Sequence, residues 1–363
     1  MGPGPSNPYP DVTMALAGPV IGHLDPQFLQ LLDETNDRLR RVFRTSNPLT
    51  LPVSGTGSAG MEASFVNFVR PGDPVVIGVN GVFGERMCEV ADRHGARVVR
   101  VDARWGEPLD PEALLAAHPA PSMIALVHAE TSTGVRNDIE PVGLGKGDAL
   151  LLVDMVTSLG GIPVDVDGWG VDIAYSGTQK CLGVPPGLAP LTVSPRALER
   201  LVERPSSWYL DLNLLARYVN DTSGAGRVYH HTAPVAMVAA LHAGVGALLD
   251  EGLEAAWERH GACGALLADG LRRQGLELLV TEAGHRLPQL TTVRVPEGTD
   301  DVACRRALLE GYGIEIGAGA GELAGKVWRI GCMGHTARRR NVFAVLDALG
   351  EVLGGAPGLA PVR

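Results

Sequence analysis

The chain has 363 residues, 45% of them hydrophobic and 20% charged, which is long enough for one large core and a smaller second domain. A net charge of −10 without basic runs argues against nucleic acid as a partner, and strand-length apolar stretches argue against a membrane span. The five cysteines are widely spaced and show no zinc-ligand spacing, so a reduced cytoplasmic protein without a metal site is expected.

Strand-like and helix-like segments alternate through the first two thirds of the chain. Residues 1–20 are predicted to form an extended, proline-rich arm, and residues 28–42 to form a helix. Helices are further predicted at 84–94 and 111–118, and strands at 75–79, 98–101, 123–127, 150–153, 173–175 and 188–193. This alternation predicts a mostly parallel sheet covered on both faces, with functional groups at the carboxyl ends of its strands.

A long apolar helix is predicted at 234–249, and after Gly252 the pattern changes. The remaining segments predict a smaller α+β domain with helices at 253–271, 301–309 and 338–353 and strands at 276–280, 291–295 and 327–331. The chain is therefore predicted to comprise an arm at 1–20, a large domain at 21–251 and a small domain at 252–363.

Lys180 stands out because the chain has only three lysines among 31 basic residues. It follows an apolar strand and a Ser-Gly turn, and Arg serves elsewhere as the cation. Only an amine that can lose its proton can form a Schiff base, so this position favours covalent cofactor chemistry. A solvated surface lysine is the alternative.

Asp154 ends the apolar run at 149–153, 26 residues before Lys180. A carboxylate at the end of a buried strand is costly unless it meets a cation. The protonated ring nitrogen of pyridoxal phosphate is such a cation, and that cofactor also requires a Schiff-base lysine. A helix cap or a loop acid is the alternative reading of Asp154.

A Gly-rich turn at 55–60 opens a helical run at 61–69. Free backbone N–H groups at a helix start, with the hydroxyls of Thr56 and Ser58, suit a phosphate. The turn also matches G-x-G-x-x-G, but Asp73 precedes its strand instead of ending it, so a phosphate cup is favoured over a dinucleotide site. A glycine-rich helix start without a ligand stays open. Phe83, after a glycine turn at a strand end, could stack on a flat ring.

An ordered set of motifs resembles the class V branch of fold-type-I pyridoxal-phosphate enzymes, and within it the alanine–glyoxylate and serine–glyoxylate aminotransferases. The motifs are Ser54-Gly55-Thr56-Gly57, Asn80-Gly81-Val82-Phe83-Gly84, Glu130-Thr131-Ser132-Thr133-Gly134-Val135, Leu152-Val153-Asp154, Ser176-Gly177-Thr178-Gln179-Lys180, Tyr229-His230-His231-Thr232 and Val327-Trp328-Arg329-Ile330-Gly331. The resemblance implies a large domain with a mostly parallel seven-stranded sheet sandwiched by helices, and a smaller C-terminal α+β domain.

The resemblance also implies roles around the cofactor ring. Lys180 would hold pyridoxal phosphate, and Asp154 would pair with the ring nitrogen. Val156 and Phe83 would pack on the ring, where the animal enzymes have Trp at the Phe83 position. Thr131 would lie near the ring hydroxyl in place of a Ser.

Further roles concern the phosphate and the substrate. Gly57, Ser58 and Gln179 would bind the cofactor phosphate, although the animal enzymes have His at the position of Ser58. Tyr229 and Thr232 would reach the phosphate of a neighbouring subunit, which implies a homodimer with shared active sites. Arg329 would clamp the substrate carboxylate.

The expected activity is amino transfer between a small amino acid, alanine or serine, and glyoxylate or another small 2-oxo acid. Ureidoglycine–glyoxylate transfer, cysteine desulfuration and β-elimination are alternatives within the class, and a nicotinamide-binding oxidoreductase or a cofactor-binding regulator is more distant. His128, at a strand end, is expected to be a core histidine instead of a catalytic one, and adjacent His230 and His231 are not expected to share a metal.

Overall fold

The computed structural model describes residues 1–219 and 227–354. Its strands form a large sheet, a small sheet and a short hairpin. In chain order the strands are β1 Leu49–Ser54, β2 Pro74–Val79, β3 Arg97–Asp102, β4 Met123–Val127, β5 Ala129–Glu130, β6 Val135–Arg136, β7 Leu150–Asp154, β8 Ile173–Tyr175, β9 Leu188–Val193, β10 Leu290–Arg294, β11 Gly317–Ala318 and β12 Val327–Gly331.

The helices in chain order are α1 Pro10–Leu16, α2 Pro26–Phe43, α3 Gly57–Val66, α4 Val82–Arg93, α5 Pro111–Ala116, α6 Glu140–Gly145, α7 Pro195–Leu198, α8 Leu212–Val219, α9 Val235–Glu251, α10 Leu253–Arg273, α11 Asp301–Tyr312 and α12 Arg339–Gly354, with short 3-10 turns at Ala283–His285, Gly321–Leu323 and Gly334–Thr336. No single helix among the described residues is long and apolar enough to cross a membrane; only α9 and α10 together, bent by 85°, meet the length and composition criteria.

The large sheet has seven strands in the order β1-β9-β8-β7-β4-β2-β3. Strand β9 is antiparallel to both of its neighbours, and the other neighbouring pairs are parallel. Strands β4, β7 and β9 are buried along their full length, as expected for a sheet with helices on both faces. The carboxyl ends of β2, β4, β7 and β8 therefore lie along one edge, where the predicted site residues follow.

The small sheet is antiparallel, in the order β10-β12-β11, and packs with α10, α11 and α12 around a second hydrophobic cluster. Trp328 of β12 is the largest side chain buried there, and its indole N–H donates to Asp301 at 2.8 Å. The predicted division at residue 251/252 coincides with the break between α9 and α10 and stays a prediction as a domain boundary.

Three local expectations from the sequence were wrong. The arm is not extended throughout, because residues 10–16 form α1, which packs against α9 through buried Val12. Residues 276–280 form no strand; Leu278 makes only an isolated bridge to Val293. Helix α3 begins at Gly57 instead of residue 61, which brings the glycine-rich turn into the helix's first turn. Predicted strands whose apolar run was unbroken agree closely with the structure.

Candidate active site

Asp154 and Tyr175 lie side by side at the carboxyl ends of β7 and β8, where they are register partners. Asp154 is buried, and each of its carboxylate oxygens accepts a hydrogen bond: Oδ1 from the backbone N–H of Val156 at 2.8 Å and Oδ2 from the Tyr175 hydroxyl at 2.7 Å. Both bonds fix the orientation of the carboxylate. The Asp154 carboxylate is therefore a hydrogen-bond acceptor with a fixed orientation, at the same edge of the sheet as Lys180.

Burial dominates the electrostatics of Asp154. It raises the pKa of the carboxyl to about 6, although the bonds from Tyr175 and Val156 and the charge of Lys180 act in the opposite direction. Burial also raises the pKa of Tyr175 well above its ordinary value, so Tyr175 is a hydrogen-bond donor at any working pH. The sequence patterns did not single out Tyr175. The residue type gave no indication of a role; only its position did, at the end of the predicted strand 173–175, which follows the strand that ends in Asp154.

Lys180 is buried, with 9% of its surface exposed. Its Nζ donates to the carbonyl of Pro3, and a Cβ at Gly4 would lie 2.7 Å from Nζ. Burial, and secondarily the charge of Arg329, lower the pKa of the Lys180 amine to about 8. About a tenth of the amine is therefore unprotonated at pH 7, far more than for an ordinary lysine, and the unprotonated amine is the state a Schiff-base nucleophile requires.

The beginning of the chain forms part of the site. Gly331 donates its N–H to the Met1 carbonyl at 2.7 Å, and Ser6 donates its hydroxyl to the Lys180 carbonyl at 2.7 Å. Small residues in the run Gly2-Pro3-Gly4 let the backbone approach Lys180 and β12 closely. The sequence predicted only an extended arm there, because nothing in its composition indicated which surface the arm contacts.

The turn before α3 forms a cup. Thr56 is the N-cap residue of α3 in an extended conformation, and its side chain makes no capping bond to the helix. A Cβ at Gly57 would lie 3.0 Å from Val156, so this glycine lets the helix start approach the segment after Asp154. Ser58 lies in the first turn, and Gln179 has a buried Oε1 with no hydrogen-bond partner in the described part of the chain. The structure thus brings together the four residues predicted to bind phosphate.

Phe83 occupies the first turn of α4, and its backbone position is fixed by a buried acid. Glu130 Oε2 accepts from the N–H groups of Phe83 at 3.2 Å and Gly84 at 3.4 Å, while Oε1 accepts from Ser132. The Arg86 guanidinium lies over the Phe83 ring, 5.0 Å from its centroid. The sequence patterns assigned no role to Glu130 or Arg86.

Arg329 of β12 reaches from the small sheet toward the β5–β6 hairpin. Its Nε donates to the Ala318 carbonyl at 2.7 Å, and its Nη1 donates to the Thr131 carbonyl at 3.2 Å. Burial lowers the pKa of Arg329, and the buried acid Glu130 partly offsets this. The guanidinium therefore lies near Lys180, Glu130 and Thr131, and the two backbone carbonyls hold its orientation.

Tyr229 and Thr232 are neighbours on an exposed segment of the chain. Their hydroxyl oxygens are 3.4 Å apart, and the Tyr229 ring packs against His23 with 53% of its surface exposed. The neighbouring His231 bonds to Ser54, just before the phosphate cup, at 2.7 Å. Exposed apolar side chains surround this segment at Trp208, Tyr209 and Val228.

His128 lies at the end of β4, but its ring packs edge-on against Trp169 at 5.3 Å. Burial lowers the pKa of this imidazole to about 3, so the ring is neutral. Its backbone N–H donates to the Asp154 carbonyl at 3.0 Å. The geometry agrees with the expectation of a core histidine.

Known proteins resemble this chain over nearly its whole length. The family model described as Aminotransferase class-V matches residues 13–338. The alanine–glyoxylate aminotransferase of Callithrix jacchus is 42% identical, over 98% of this chain and 88% of the relative. The (S)-ureidoglycine–glyoxylate transaminase of Bacillus subtilis is 39% identical, over 97% of this chain and 90% of the relative.

Solved structures give the same picture. The crystal structure of an alanine–glyoxylate aminotransferase from Nostoc sp. superimposes with a TM-score of 0.94 at 49% identity. The match covers 97% of this chain and 94% of that one. The two chains therefore share one fold over nearly their whole length.

Proposed function

This chain belongs to the class V aminotransferase family, as the motifs suggested, and we propose that it transfers an amino group between alanine or serine and glyoxylate with pyridoxal phosphate as cofactor. The fold-type-I architecture predicted from the sequence is confirmed. The observation that carries the cofactor proposal is the pair formed by a buried carboxylate, Asp154, and a buried amine, Lys180, on one sheet edge beside a glycine-lined helix start.

The residues present fit pyridoxal phosphate. Lys180 would hold it covalently, Asp154 would pair with the ring nitrogen, and Phe83 and Val156 would flank the ring. Thr131 would lie near the ring hydroxyl. The phosphate would bind to Thr56, Gly57, Ser58 and Gln179, and the unpaired Gln179 side chain and the absence of a side-chain cap at Thr56 support this. The bound cofactor supplies an electron-withdrawing ring that stabilises negative charge at the substrate Cα.

The protein's own groups would provide the proton chemistry. The Lys180 amine, with a pKa of about 8, would take the proton from the substrate Cα and deliver it to the cofactor carbon that carries the substrate nitrogen. The Asp154 carboxylate would hold a proton on the cofactor's ring nitrogen, and Tyr175 would keep that carboxylate in line. Burial of both groups excludes water from the proton transfer.

Arg329 would bind the substrate carboxylate. Two backbone carbonyls, of Ala318 and Thr131, use Nε and Nη1 and hold the guanidinium plane. A small monocarboxylic substrate needs only this one cation. Arg86, which lies over the Phe83 ring, would be the nearest cation for a second carboxylate, so aspartate and glutamate are useful comparison substrates.

Ureidoglycine–glyoxylate transfer is a second candidate, since the Bacillus subtilis relative with that activity is 39% identical over 97% of this chain. Cysteine desulfuration is disfavoured, because all five cysteines are buried. Burial raises the pKa of Cys181, the one next to Lys180, to about 12, which opposes a thiolate nucleophile.

A half-reaction screen tests the substrate assignment. The cofactor-loaded protein is mixed with alanine, serine, (S)-ureidoglycine, aspartate or glutamate, and the loss of its visible absorption band is followed without an acceptor. Alanine or serine should give the highest kcat/KM, with glyoxylate restoring the band fastest among 2-oxo acids. A clear preference for ureidoglycine would select the second candidate, and a preference for aspartate or glutamate would refute both.

We further propose a homodimer in which Tyr229 and Thr232 complete the partner's phosphate site. Their exposure, and the exposed Trp208, Tyr209 and Val228 around them, indicate a surface that another chain covers. The protein is expected to act in the cytoplasm, where its buried thiols remain reduced.

Mixing two inactive variants tests the shared site. One carries Lys180→Ala and the other carries both Tyr229→Ala and Thr232→Ala. If Tyr229 and Thr232 act across the interface, each mixed dimer contains one intact site, and equal mixing restores about a quarter of wild-type activity. If they act within their own subunit, no intact site forms and the mixture stays inactive.

A further inference from the structure

A cavity of about 440 Å³ lies between helix α10, residues 278–292 and the β5–β6 hairpin. None of the residues proposed above to bind cofactor or substrate lines it. Its volume is in the range of small-molecule sites, which are typically apolar with a few convergent polar groups. The cavity therefore needs an explanation of its own.

The apolar part of the cavity results from small residues on one face of α10. Gly261, Ala265 and Ala268 line it, and a Cβ at Gly261 would meet nothing within 4 Å. The opposite wall is formed by apolar side chains that include Leu278 and Leu287. A helix face without large side chains opposite such a wall leaves room for a compact hydrocarbon body.

The polar part of the cavity is positively charged. Arg136, Arg272 and Arg286 line it together with a single acid, Asp269. Two of these arginines have an exposed acid nearby: Asp269 lies 3.9 Å from Arg272, and Asp138, outside the cavity lining, lies 3.8 Å from Arg136. Arg286 forms no ion pair among the described residues and donates to the backbone carbonyls of Val280 and Thr281. Burial and the nearby charge of Arg272 lower the pKa of Arg286. An anion placed between these groups would relieve their repulsion.

A buried hydroxyl adds a further polar group. Thr292 lines the cavity, and its Oγ1 has no hydrogen-bond partner among the described residues. A Cβ at Gly134 would lie 2.8 Å from that oxygen, so the hairpin turn packs directly on it. Buried hydroxyls are normally paired, and a small shift of the hairpin would expose this one to the cavity.

The hairpin connects the cavity to the candidate active site. Gly134, at its turn, lines the cavity and accepts a hydrogen bond from Leu287 at 3.1 Å. Glu130 and Thr131, on the other side of the hairpin, fix Phe83 and Arg329 through the bonds described above. A single two-stranded element therefore contacts the cavity on one side and the residues that hold Phe83 and Arg329 on the other.

We propose that this cavity is an effector site for a small carboxylic acid with an apolar body. The carboxylate would bind Arg272 and Arg286, and the body would lie on the Gly261 face of α10. Charge complementarity favours an acid, because three guanidinium groups and one carboxylate line the cavity and Arg286 forms no ion pair among the described residues. A bound acid would shift the hairpin that positions Arg329 and so change the KM for the amino substrate. This kinetic effect rests on the proposed transaminase activity, whereas binding of the acid to the cavity does not.

Calorimetric titration of the full-length, cofactor-loaded protein with 4-phenylbutyrate tests binding. The protein used carries Arg329→Ala, which removes the carboxylate clamp of the active site as a competing location. Binding with a dissociation constant of about 1 mM or tighter is expected, and neutral 4-phenylbutan-1-ol should bind about tenfold more weakly. No heat of binding for the acid, or equal affinity for acid and alcohol, would overturn the proposal.

Two further substitutions locate the ligand. Gly261→Leu fills the cavity on a helix where leucine is well tolerated, and it should abolish binding while leaving the helical circular dichroism and basal activity unchanged. Arg272→Gln should weaken the acid about tenfold and leave the alcohol unaffected. Unchanged affinity of the Gly261→Leu protein for the acid would place the ligand elsewhere.

Kinetics test the effector role. In protein with Arg329 intact, 4-phenylbutyrate should change the KM for alanine at concentrations that saturate the cavity. Direct competition between 4-phenylbutyrate and alanine at the active site would also occur in the Gly261→Leu protein, whose cavity is filled. The difference in the KM change between wild type and Gly261→Leu therefore measures the effect of the cavity alone. Binding without such a difference would overturn the effector role, and an inactive but ligand-binding protein would contradict only the proposed reaction.

Discussion

Asp154→Asn should make the cofactor-free protein more stable while removing most of its activity. Burial raises the pKa of Asp154 from 3.8 to about 6, so the folded state holds a proton on this carboxyl that the unfolded state releases between those values. Stability of the cofactor-free wild type therefore falls as pH rises through this window. About two pKa units correspond to about 3 kcal/mol of free energy at pH 7 and above.

Asparagine matches the site without the charge. Its oxygen can accept from the Val156 N–H, and its amide can donate to the Tyr175 oxygen, but the Tyr175 proton, which Asp154 accepts in the wild type, then loses its acceptor. Urea unfolding of the cofactor-free proteins at fixed salt and concentration measures the difference. Removing the charge should stabilise the folded state by about 3 kcal/mol at pH 8 and by about half of that at pH 5. The unpaired Tyr175 proton offsets about 1 kcal/mol at both pH values, so the variant should be clearly more stable at pH 8 and only slightly more stable at pH 5.

Asp172→Asn is the matched control, because Asp172 is equally buried but is paired with Lys146 at 2.5 Å and Arg196 at 3.0 Å. Removing its charge leaves buried Lys146 with a weaker partner, so this variant should be destabilised at pH 8. The same chemical change should thus have opposite signs at two buried positions. A wild-type-like or destabilised Asp154→Asn protein at pH 8, with the control destabilised, would refute the assigned charge cost.

Three further outcomes are expected. Lys180→Ala should abolish turnover and the borohydride-reducible adduct without loss of fold; an adduct in the variant would exclude this lysine as the attachment point. Tyr175→Phe removes a hydrogen bond to Asp154 and should lower kcat about tenfold while moving the acidic limb of its pH profile upward, an outcome that a purely structural tyrosine would not produce. Arg329→Ala should raise KM for every amino and oxo acid with little change in cofactor affinity, and unchanged KM values would contradict the clamp. Because the charge of Arg329 lowers the pKa of Lys180, the pKa of Lys180 should rise in this variant.

The parts of the fold that could be predicted are those with one dominant local signal. Strands β4, β7 and β9 have unbroken apolar runs that only a buried strand satisfies, and the residue ending β7, Asp154, follows directly from that reading. Helix α1 was missed because its short segment is stabilised by contact with α9, about 220 residues away in sequence. The segment 276–280 has strand-like composition, but its chain makes only one bridge at the sheet edge.

The missed site residues share a different property. Tyr175, Glu130 and the Pro3 carbonyl act through contacts between segments that are distant in sequence, and their residue types carry no distinctive signal. Glu130 belongs to one of the family motifs, but the motif assigned it no role, although its carboxylate connects the β5–β6 hairpin to the first turn of α4. Spacing predicts which strand ends meet at a sheet edge, but it does not predict which backbone atoms a side chain reaches there.

The charges of the site explain why cofactor affinity should depend on pH. Without cofactor, burial shifts Lys180 toward its neutral form and Asp154 toward its neutral form as well. The proposed chemistry needs a neutral amine but a charged carboxylate, so only Lys180 is already biased in the required direction. A protonated ring nitrogen paired with Asp154 would lower the pKa of this carboxyl again. Part of the free energy of that pairing is used to offset the cost of holding a buried, charged carboxylate. Affinity should therefore fall below about pH 6, where Asp154 is neutral, and this fall should be absent in Asp154→Asn.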